Sequence, residues 1–193
     1  MLWEVLTFIG WETLSIAPLV MVFGIWLSGG LHHDGLMDTA DGLAAGPSRR
    51  LEAMEDSRVG ASGVLALLML LLIEFSALTK LGAGSKQALL LACFWGRVSP
   101  LWAIARFEYI RKDGSAAFHS HYFRPVIDFI PALLGLLVLT IYIPPVPLLL
   151  GAPVSLLSAQ GLGSYLGGHT GDSYGAVLVL THVFTLIFLA LAT

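Results

Sequence analysis

The sequence predicts an all-α integral membrane protein, a polytopic bundle of transmembrane helices with about six spans. Two features of the composition support this prediction. Hydrophobic residues make up 56% and charged residues only 12% of the 193 residues, whereas about a quarter of the residues in a soluble domain are charged. The third observation is that the apolar stretches are continuous and about as long as a bilayer is thick. Continuous stretches of this length favour helices over alternating strands.

Composition also excludes several other classes of protein. The net charge of −3 and the lack of a basic stripe exclude a nucleic-acid-binding protein. Cys93 is the single cysteine, which excludes an intramolecular disulfide and a cysteine-based zinc site, and its apolar neighbours indicate a packing role. The first residues contain no Lys or Arg, which argues against a signal peptide. We expect one membrane domain over residues 1–193.

Six stretches approach the roughly 20 apolar residues that a helix needs to cross a bilayer. The fourth and fifth are separated by Pro144, Pro145 and nearby Pro147. Proline ends one helix and is tolerated in the first turn of the next, so these residues predict a tight helical hairpin. The predicted spans are 11–30, 59–79, 87–106, 125–143, 145–166 and 174–192.

The basic residues indicate how the spans are oriented. In a six-span model the loops 31–58, 107–124 and 162–173 lie on one side, and the opposite side holds only Lys80 and Lys86. The positive-inside rule therefore predicts that these three loops are cytoplasmic, in a multi-pass protein of the cell (inner or plasma) membrane. The basic residues of the three loops and their flank are Arg49, Arg50, Arg58, Arg106, Arg111, Lys112 and Arg124.

The first of these loops contains a cluster of carboxylates. Asp34, Asp38 and Asp41 follow an i, i+4, i+7 spacing, which places them on one face of a helix. Like charges at this spacing destabilise a helix by a few tenths of a kcal/mol each unless a cation binds. Carboxylate oxygens suit Mg²⁺, Mn²⁺ or Ca²⁺. Asp34 and Asp41 lie about 10 Å apart along a helix, so we expect a further ligand, with Asp56 as the best candidate, or a second ion.

An alternative interpretation of this segment is a solvated acidic helix beside the membrane. The apolar residues on its opposite face argue against it, because they predict that the segment packs on something. Gly35 and Gly42 leave bare backbone that phosphates could approach closely. His32 and His33 are compatible with ligation or with a position at the membrane interface.

Two further features point to anion binding. Arg97 lies within a span, where a charge is costly and usually faces a polar cavity or partner. Its alternatives are pairing with Glu74 or reaching the interface. The loop before the last span contains Thr170, Gly171 and Asp172, and backbone N–H groups at a helix N-terminus can bind an anion. The alternative there is capping of the helix by Asp172 or Ser173.

Four blocks of residues, in order between residues 30 and 190, resemble the cobalamin synthase family, also called adenosylcobinamide-GDP ribazoletransferases. The last block is followed by Val179 and His182, where the family tends to have acids. The blocks are His32-x-Asp34-Gly35-x-x-Asp38-x-x-Asp41-Gly42, Asp56-Ser57-Arg58-x-Gly60, Gly96-Arg97, and Gly168-x-Thr170-Gly171-Asp172-x-x-Gly175-Ala176.

The resemblance implies a membrane enzyme that joins adenosylcobinamide-GDP to α-ribazole or its 5′-phosphate and releases GMP. It implies Mg²⁺, or Mn²⁺, on the cytoplasmic face, and it leaves oligomerisation open. The implied metal ligands are Asp34, Asp38, Asp41 and Asp56, with Asp56 or Asp41 as the alternative general base. The implied substrate-binding residues are His32, Gly35, Gly42, Ser57, Arg58, Arg97, Thr170, Gly171 and Asp172.

Three other functions remain open at this point. A CDP-alcohol phosphatidyltransferase-like enzyme or a prenyl transferase would use the same metal and diphosphate chemistry on a lipid acceptor. A divalent-cation transporter would carry its acids near the middle of the bilayer, whereas here they cluster in a predicted loop. A purely structural membrane subunit would leave the acidic cluster unexplained.

Overall fold

The computed structural model describes residues 2–111, 114 and 116–193. Lys112, counted above among the basic residues, lies outside them. The structure is 79% helical, and the described residues contain no strand. The helices are α1 (Leu2–Phe8), α2 (Thr13–Leu27), α3 (Leu31–Ala44), α4 (Arg50–Glu55), α5 (Ala61–Leu81), α6 (Ser85–Arg106), α7 (Ala117–His121), α8 (Pro125–Asp128), α9 (Ile130–Leu139), α10 (Pro145–Leu149), α11 (Gly151–Leu166) and α12 (Gly171–Leu191), with a 3₁₀ turn over Gly82–Gly84 between α5 and α6.

The all-α membrane class is confirmed. Three helical segments are long and apolar enough to cross a membrane, Ala61–Arg106, Pro145–Leu166 and Gly171–Leu191. A fourth arises if α2 and α3 together form one bent span. The apolar helix in the predicted span 125–143 is shorter than expected, since it covers only Pro125–Leu139. The chain turns directly after it.

The segment Ala61–Arg106 folds back on itself as a helical hairpin. Its helices α5 and α6 have 21 and 22 residues, each about 32 Å long, and Gly82 between them has φ +54° and ψ −120°, outside the helical region. Glu74 of α5 and Cys93 of α6 both contact His182 of α12. One side chain can touch both residues only if the two helices run antiparallel.

A sharp bend separates α2 from α3. The two helices meet at 89°, and the bend is formed by Gly29 and Gly30, whose φ values of +62° and +73° lie in the left-handed region that favours glycine. Helix α3 carries three aspartates and two histidines in 14 residues. Leu36 of α3 belongs to a buried cluster with Leu70 of α5 and Leu178 of α12, so α3 packs alongside these two helices.

The two ends of the bundle differ in the kinds of residue that they bury. At the end that we call the apolar end, side chains of α2, α5, α6 and α12 pack together and are almost fully buried, including Ile16, Leu78, Leu91 and Leu186. Many leucines elsewhere on the spanning helices are exposed, as expected of a surface that faces lipid.

At the opposite end, which we call the carboxylate end, the three predicted loops come together. Asp41 of α3 accepts hydrogen bonds from the start of α5. The backbones of Gly35 and Asp172 are in contact. His169 donates its backbone N–H to the carbonyl oxygen of Glu108 at 2.9 Å. Described residues of the segments 31–58, 107–111 and 162–173 therefore contact one another or the start of α5 at this end of the bundle.

Candidate active site at the carboxylate end

The first half of α3 packs closely against the beginning of α12. A Cβ atom at Gly35 would lie 2.6 Å from the backbone oxygen of Asp172, so only glycine permits this approach. The bare backbone at Gly35 thus serves helix packing, and Gly42 likewise packs against Met54 of α4. As a result, Asp172 joins Asp34 and Asp38 in one group of interacting carboxylates.

These carboxylates concentrate more negative charge than the protein neutralises. Burial, followed by the charges of Asp34, Asp172 and Asp41, raises the pKa of Asp38 to about 6, and Arg111 opposes this shift. A divalent cation would favour the charged form, and carboxylate oxygens are the ligands that Mg²⁺ and Mn²⁺ prefer. The chemistry of the donors therefore fits such an ion. No group of three or more His, Cys, Asp or Glu side chains that could hold a metal ion is found in the described part of the chain.

Asp41 caps a helix other than its own. Its Oδ2 accepts the backbone N–H of Gly60 at 2.8 Å, and its Oδ1 accepts that of Gly63 at 2.8 Å. A Cβ atom at Gly63 would lie 2.6 Å from Oδ2, so the close approach requires glycine there. This satisfies donors at the N-terminus of α5 that no residue of that helix can satisfy. The i, i+7 spacing of Asp34 and Asp41 in the sequence did not predict that Asp41 would cap α5.

Asp56 pairs with Arg58 in the loop between α4 and α5. The Nη2 of Arg58 lies 2.6 Å from Oδ2 of Asp56, and the backbone N–H of Arg58 donates to Oδ1 at 3.0 Å. These hydrogen bonds lower the pKa of Asp56 to about 2. The Arg58 side chain is 87% exposed, and Ser57 between them is exposed as well. In this structure, therefore, Arg58 neutralises the carboxylate of Asp56.

Arg111 is a site residue that the sequence analysis counted only as a loop charge. Its Nη1 lies 3.1 Å from Oδ2 of Asp172, and its Nε lies 3.2 Å from Oε1 of Glu55. Only 21% of the Arg111 side chain is exposed. It thereby links α4 to the beginning of α12 and partly neutralises the carboxylate group. The positive-inside count gave no indication that this arginine differs from its neighbours.

The loop before α12 is organised by a capping box. The hydroxyl of Thr170 accepts the backbone N–H of Ser173 at 3.2 Å, and the hydroxyl of Ser173 accepts the backbone N–H of Thr170 at 2.8 Å. The fully buried His169 contacts Ser173 through Nδ1 at 2.9 Å. The N-cap is Thr170, with Ser173 as its reciprocal partner, so the prediction of capping by Asp172 is wrong. This leaves the carboxylate of Asp172, beside Gly171, to interact with Arg111.

Arg97 does not pair with Glu74, so that alternative is wrong. Glu74 instead contacts Nε2 of His182 at 3.2 Å, and no carboxylate is paired with Arg97 among the described residues. Cys93, expected to be a packing residue, is exposed and lies 3.9 Å from Nδ1 of His182. Arg97, His32, Glu74 and His182 all line one cavity.

The fold and the site together define a class of protein, namely an all-helical membrane protein with interacting carboxylates at one end of its bundle. The chain belongs to the cobalamin-5-phosphate synthase family, whose model matches residues 1–190.

Among curated relatives, the adenosylcobinamide-GDP ribazoletransferase of Prochlorococcus marinus (strain MIT 9303) is 49% identical over 98% of this chain and 78% of its own length. The enzymes of that name from Thermosynechococcus vestitus and Trichormus variabilis are 44% and 38% identical, over 89% and 97% of this chain and 72% and 79% of their own. No solved structure gives a significant match.

Proposed function

We propose that the protein is a membrane-bound transferase that joins adenosylcobinamide-GDP to α-ribazole, or its 5′-phosphate, and releases GMP. The observation that carries this proposal is the match of nearly the whole chain to relatives bearing that enzyme's name. The geometry supports it, because blocks that are far apart in the sequence meet at one end of the bundle and bring Asp34, Asp38 and Asp172 together.

In the reaction, a ribose hydroxyl of the acceptor forms a bond to the phosphorus that stays with cobinamide. The bond from that phosphorus to the GMP oxygen breaks, and the hydroxyl proton passes to a base, for which Asp56 and Asp41 are the candidates. Phosphoryl transfer depends mainly on positioning and electrostatics. Arg58 and Arg97 would bind phosphate oxygens, while His32, Ser57, Thr170 and Gly171 would line the substrate pocket around them.

Asp34, Asp38, Asp41 and Asp56 are the proposed ligands of Mg²⁺ or Mn²⁺. When bound, the ion would neutralise the diphosphate and stabilise the attacking and leaving oxygens. Asp34 is exposed, and each oxygen of Asp41 keeps a lone pair beyond its one backbone hydrogen bond. An exposed ion pair such as Asp56–Arg58 is screened by solvent and contributes little to stability, so turning Asp56 towards a metal is inexpensive.

We also propose six spans, formed by α2, α5, α6, α8 with α9, α10 with α11, and α12, with the carboxylate end in the cytoplasm. The hairpin of α5 and α6, the meeting of three loops at one end and the basic residues near them support this arrangement. In a Cys93→Ser background, cysteines at Ser48 and Ser164 should resist an impermeant thiol reagent in intact cells. A cysteine at Ala83, in the opposite turn, should react. Labelling of either of the first two from outside would contradict the proposed sidedness.

The enzymatic test is incubation of the purified protein with adenosylcobinamide-GDP, α-ribazole or its 5′-phosphate, and Mg²⁺. We expect release of GMP that depends on both substrates and is lost with EDTA. GMP release without the ribazole acceptor, or none with either acceptor, would contradict the proposal. Metal flux into liposomes without turnover would favour a transporter instead, and transfer to a lipid acceptor would favour the phosphatidyltransferase-like alternative.

A further inference from the structure

A cavity of about 220 Å³ lies inside the bundle, next to the carboxylate end. Helices α2, α3, α5, α6 and α12 surround it, and much of its wall is apolar, with Met21 and Ile25 on one side and Leu178 and Val179 on the other. Gly24 of α2 also lines it and has no heavy atom within 4 Å of the place where a Cβ would stand. His32 and Arg97, which the proposed function assigns to substrate binding, line this space.

The same cavity has polar groups on one side. His32, His33 and Arg97 line it, together with the hydrogen-bonded pair of Glu74 and His182. The Nδ1 atom of His33 is buried without a hydrogen-bond partner among the described residues. Arg97 likewise lacks a carboxylate partner among them. Arg97 is exposed at the edge of the cavity, so a ligand there can bring an anionic group to its guanidinium and place an apolar body against α2 and α12.

The cavity and the carboxylate site share the first turn of α3. His32 and His33 line the cavity, and Asp34 is the next residue of the same helix. Glu74, about 20 Å along α5 from the helix start, also lines the cavity. The cavity therefore adjoins the helix that carries the aspartates, and no described aspartate lines it.

We propose that this cavity is the acceptor subsite, in which the dimethylbenzimidazole base of the ribazole packs between α2 and α12 and the acceptor phosphate binds Arg97. This inference rests on the proposed function. Pockets for drug-sized ligands measure about 300–1,000 Å³, and this cavity of 220 Å³, which is partly open to the surface, has a size suited to one bicyclic aromatic base. The family description names a 5-phosphate product, which supplies the anion. A phospholipid offers the same combination of phosphate and apolar body, and the experiment must distinguish the two.

The test introduces a larger side chain into the cavity at a position where that side chain causes no clash. Gly24→Leu places an isobutyl group into the space without a backbone clash, and Gly161→Leu is the matched control. Gly161 is also a helical glycine with no atom within 4 Å of its Cβ position, but it does not line the cavity. Binding of α-ribazole 5′-phosphate is measured by the fluorescence of its base, with the purified protein in detergent and without the corrinoid donor.

We expect Gly24→Leu to raise the dissociation constant of the acceptor at least tenfold, with the KM of adenosylcobinamide-GDP changed less than twofold and the melting temperature unchanged. Gly161→Leu should leave both constants within twofold of the wild type. A folded Gly24→Leu protein with normal acceptor affinity would overturn the inference. Loss of co-purifying phospholipid with unchanged acceptor affinity would also overturn it and would identify a lipid site.

Variants of Arg97 provide a second, independent test. Arg97→Met should weaken binding of α-ribazole 5′-phosphate at least tenfold but that of α-ribazole less than threefold, and Arg97→Lys should fall between, because lysine keeps the charge without the planar fork. Equal effects on the two acceptors would overturn the assignment of Arg97 to the phosphate. A wild-type protein that binds the acceptor with these preferences but releases no GMP would contradict the proposed function while supporting the subsite.

Discussion

The two ends of the bundle are built in different ways. At the apolar end, Leu78 and Leu186 have no exposed surface, and the helices are held by packed aliphatic side chains. At the carboxylate end, segments far apart in the sequence are joined by the hydrogen bonds of Asp41 to the start of α5 and by the ion pairs of Arg111. Glycine allows the backbones to approach there, as at Gly35.

This difference separates stability from function. At the apolar end, the fully buried aliphatic side chains contribute to packing. At the carboxylate end, some acids are engaged with protein donors, and others leave negative charge that the protein does not neutralise. Substitutions at the two ends should therefore differ in whether they change the free energy of unfolding, the turnover, or both. A tenfold change in turnover corresponds to about 1.4 kcal/mol of activation free energy, which allows effects on turnover and on unfolding to be compared.

The largest effect is expected at the apolar end. Leu78→Ala should lower the free energy of unfolding by about 3 kcal/mol, because the side chain is fully buried and its removal leaves a cavity. Turnover at a temperature where the variant is folded should stay within twofold of the wild type. Leu72→Ala, in the same helix but 65% exposed, is the control and should change stability by less than about 0.5 kcal/mol. A loss of turnover in folded Leu78→Ala would contradict the separation of the two ends.

At the carboxylate end the next effect is catalytic. Asp38→Asn keeps the shape of the side chain but removes a proposed ligand charge, so turnover should fall about 100-fold, or about 2.7 kcal/mol. Without added metal, the melting temperature should stay the same or rise, since burial and the neighbouring carboxylates disfavour the charged form of Asp38. Retention of a tenth or more of the wild-type turnover at saturating Mg²⁺ would exclude Asp38 as a ligand.

The position of Asp38 illustrates what could be predicted from the sequence. Helical spacing alone places Asp34 and Asp38 on one face, and hydropathy identifies most of the apolar segments. The span predicted at 125–143 was too long, because a continuous apolar composition does not reveal where a helix ends. The structure ends it at Leu139. The predicted sidedness placed the loop that contains Asp172 on the same face as the acids of α3, but no spacing rule predicted how closely they approach.

Other contacts could not be predicted, because they depend on how distant segments pack. No spacing rule links Glu74 to His182, which is 108 residues further along the chain. Arg111 looked like one of several loop arginines, and its pairing with both Glu55 and Asp172 follows from the approach of α4 to α12. The same holds for Asp41, whose spacing identifies a helix face but not the helix that it caps.

Asp41 is expected to show an intermediate effect that is mainly structural. Asp41→Ala leaves the backbone N–H groups of Gly60 and Gly63 without their acceptors, which should cost about 2 kcal/mol of unfolding free energy. Asp41→Asn keeps one acceptor oxygen and should recover about half of that loss. Faster hydrogen exchange at the Gly60 and Gly63 amides would locate the effect at the start of α5. A variant with wild-type stability and exchange would contradict the capping role.

The smallest effect is expected at Asp56, whose substitution should lower turnover but hardly change stability. Its pair with Arg58 is exposed, so Asp56→Asn should leave the free energy of unfolding almost unchanged. Turnover should nevertheless fall about tenfold, or about 1.4 kcal/mol, if Asp56 acts on the substrate. A Mg²⁺ titration separates its two proposed roles. A lost ligand raises the Mg²⁺ concentration needed for half-maximal turnover, whereas a lost base lowers kcat at saturating Mg²⁺. Arg58→Gln is the control, because it breaks the same pair but keeps the carboxylate of Asp56. If turnover falls equally in both variants and the Mg²⁺ requirement does not change, the only role of Asp56 is to hold Arg58.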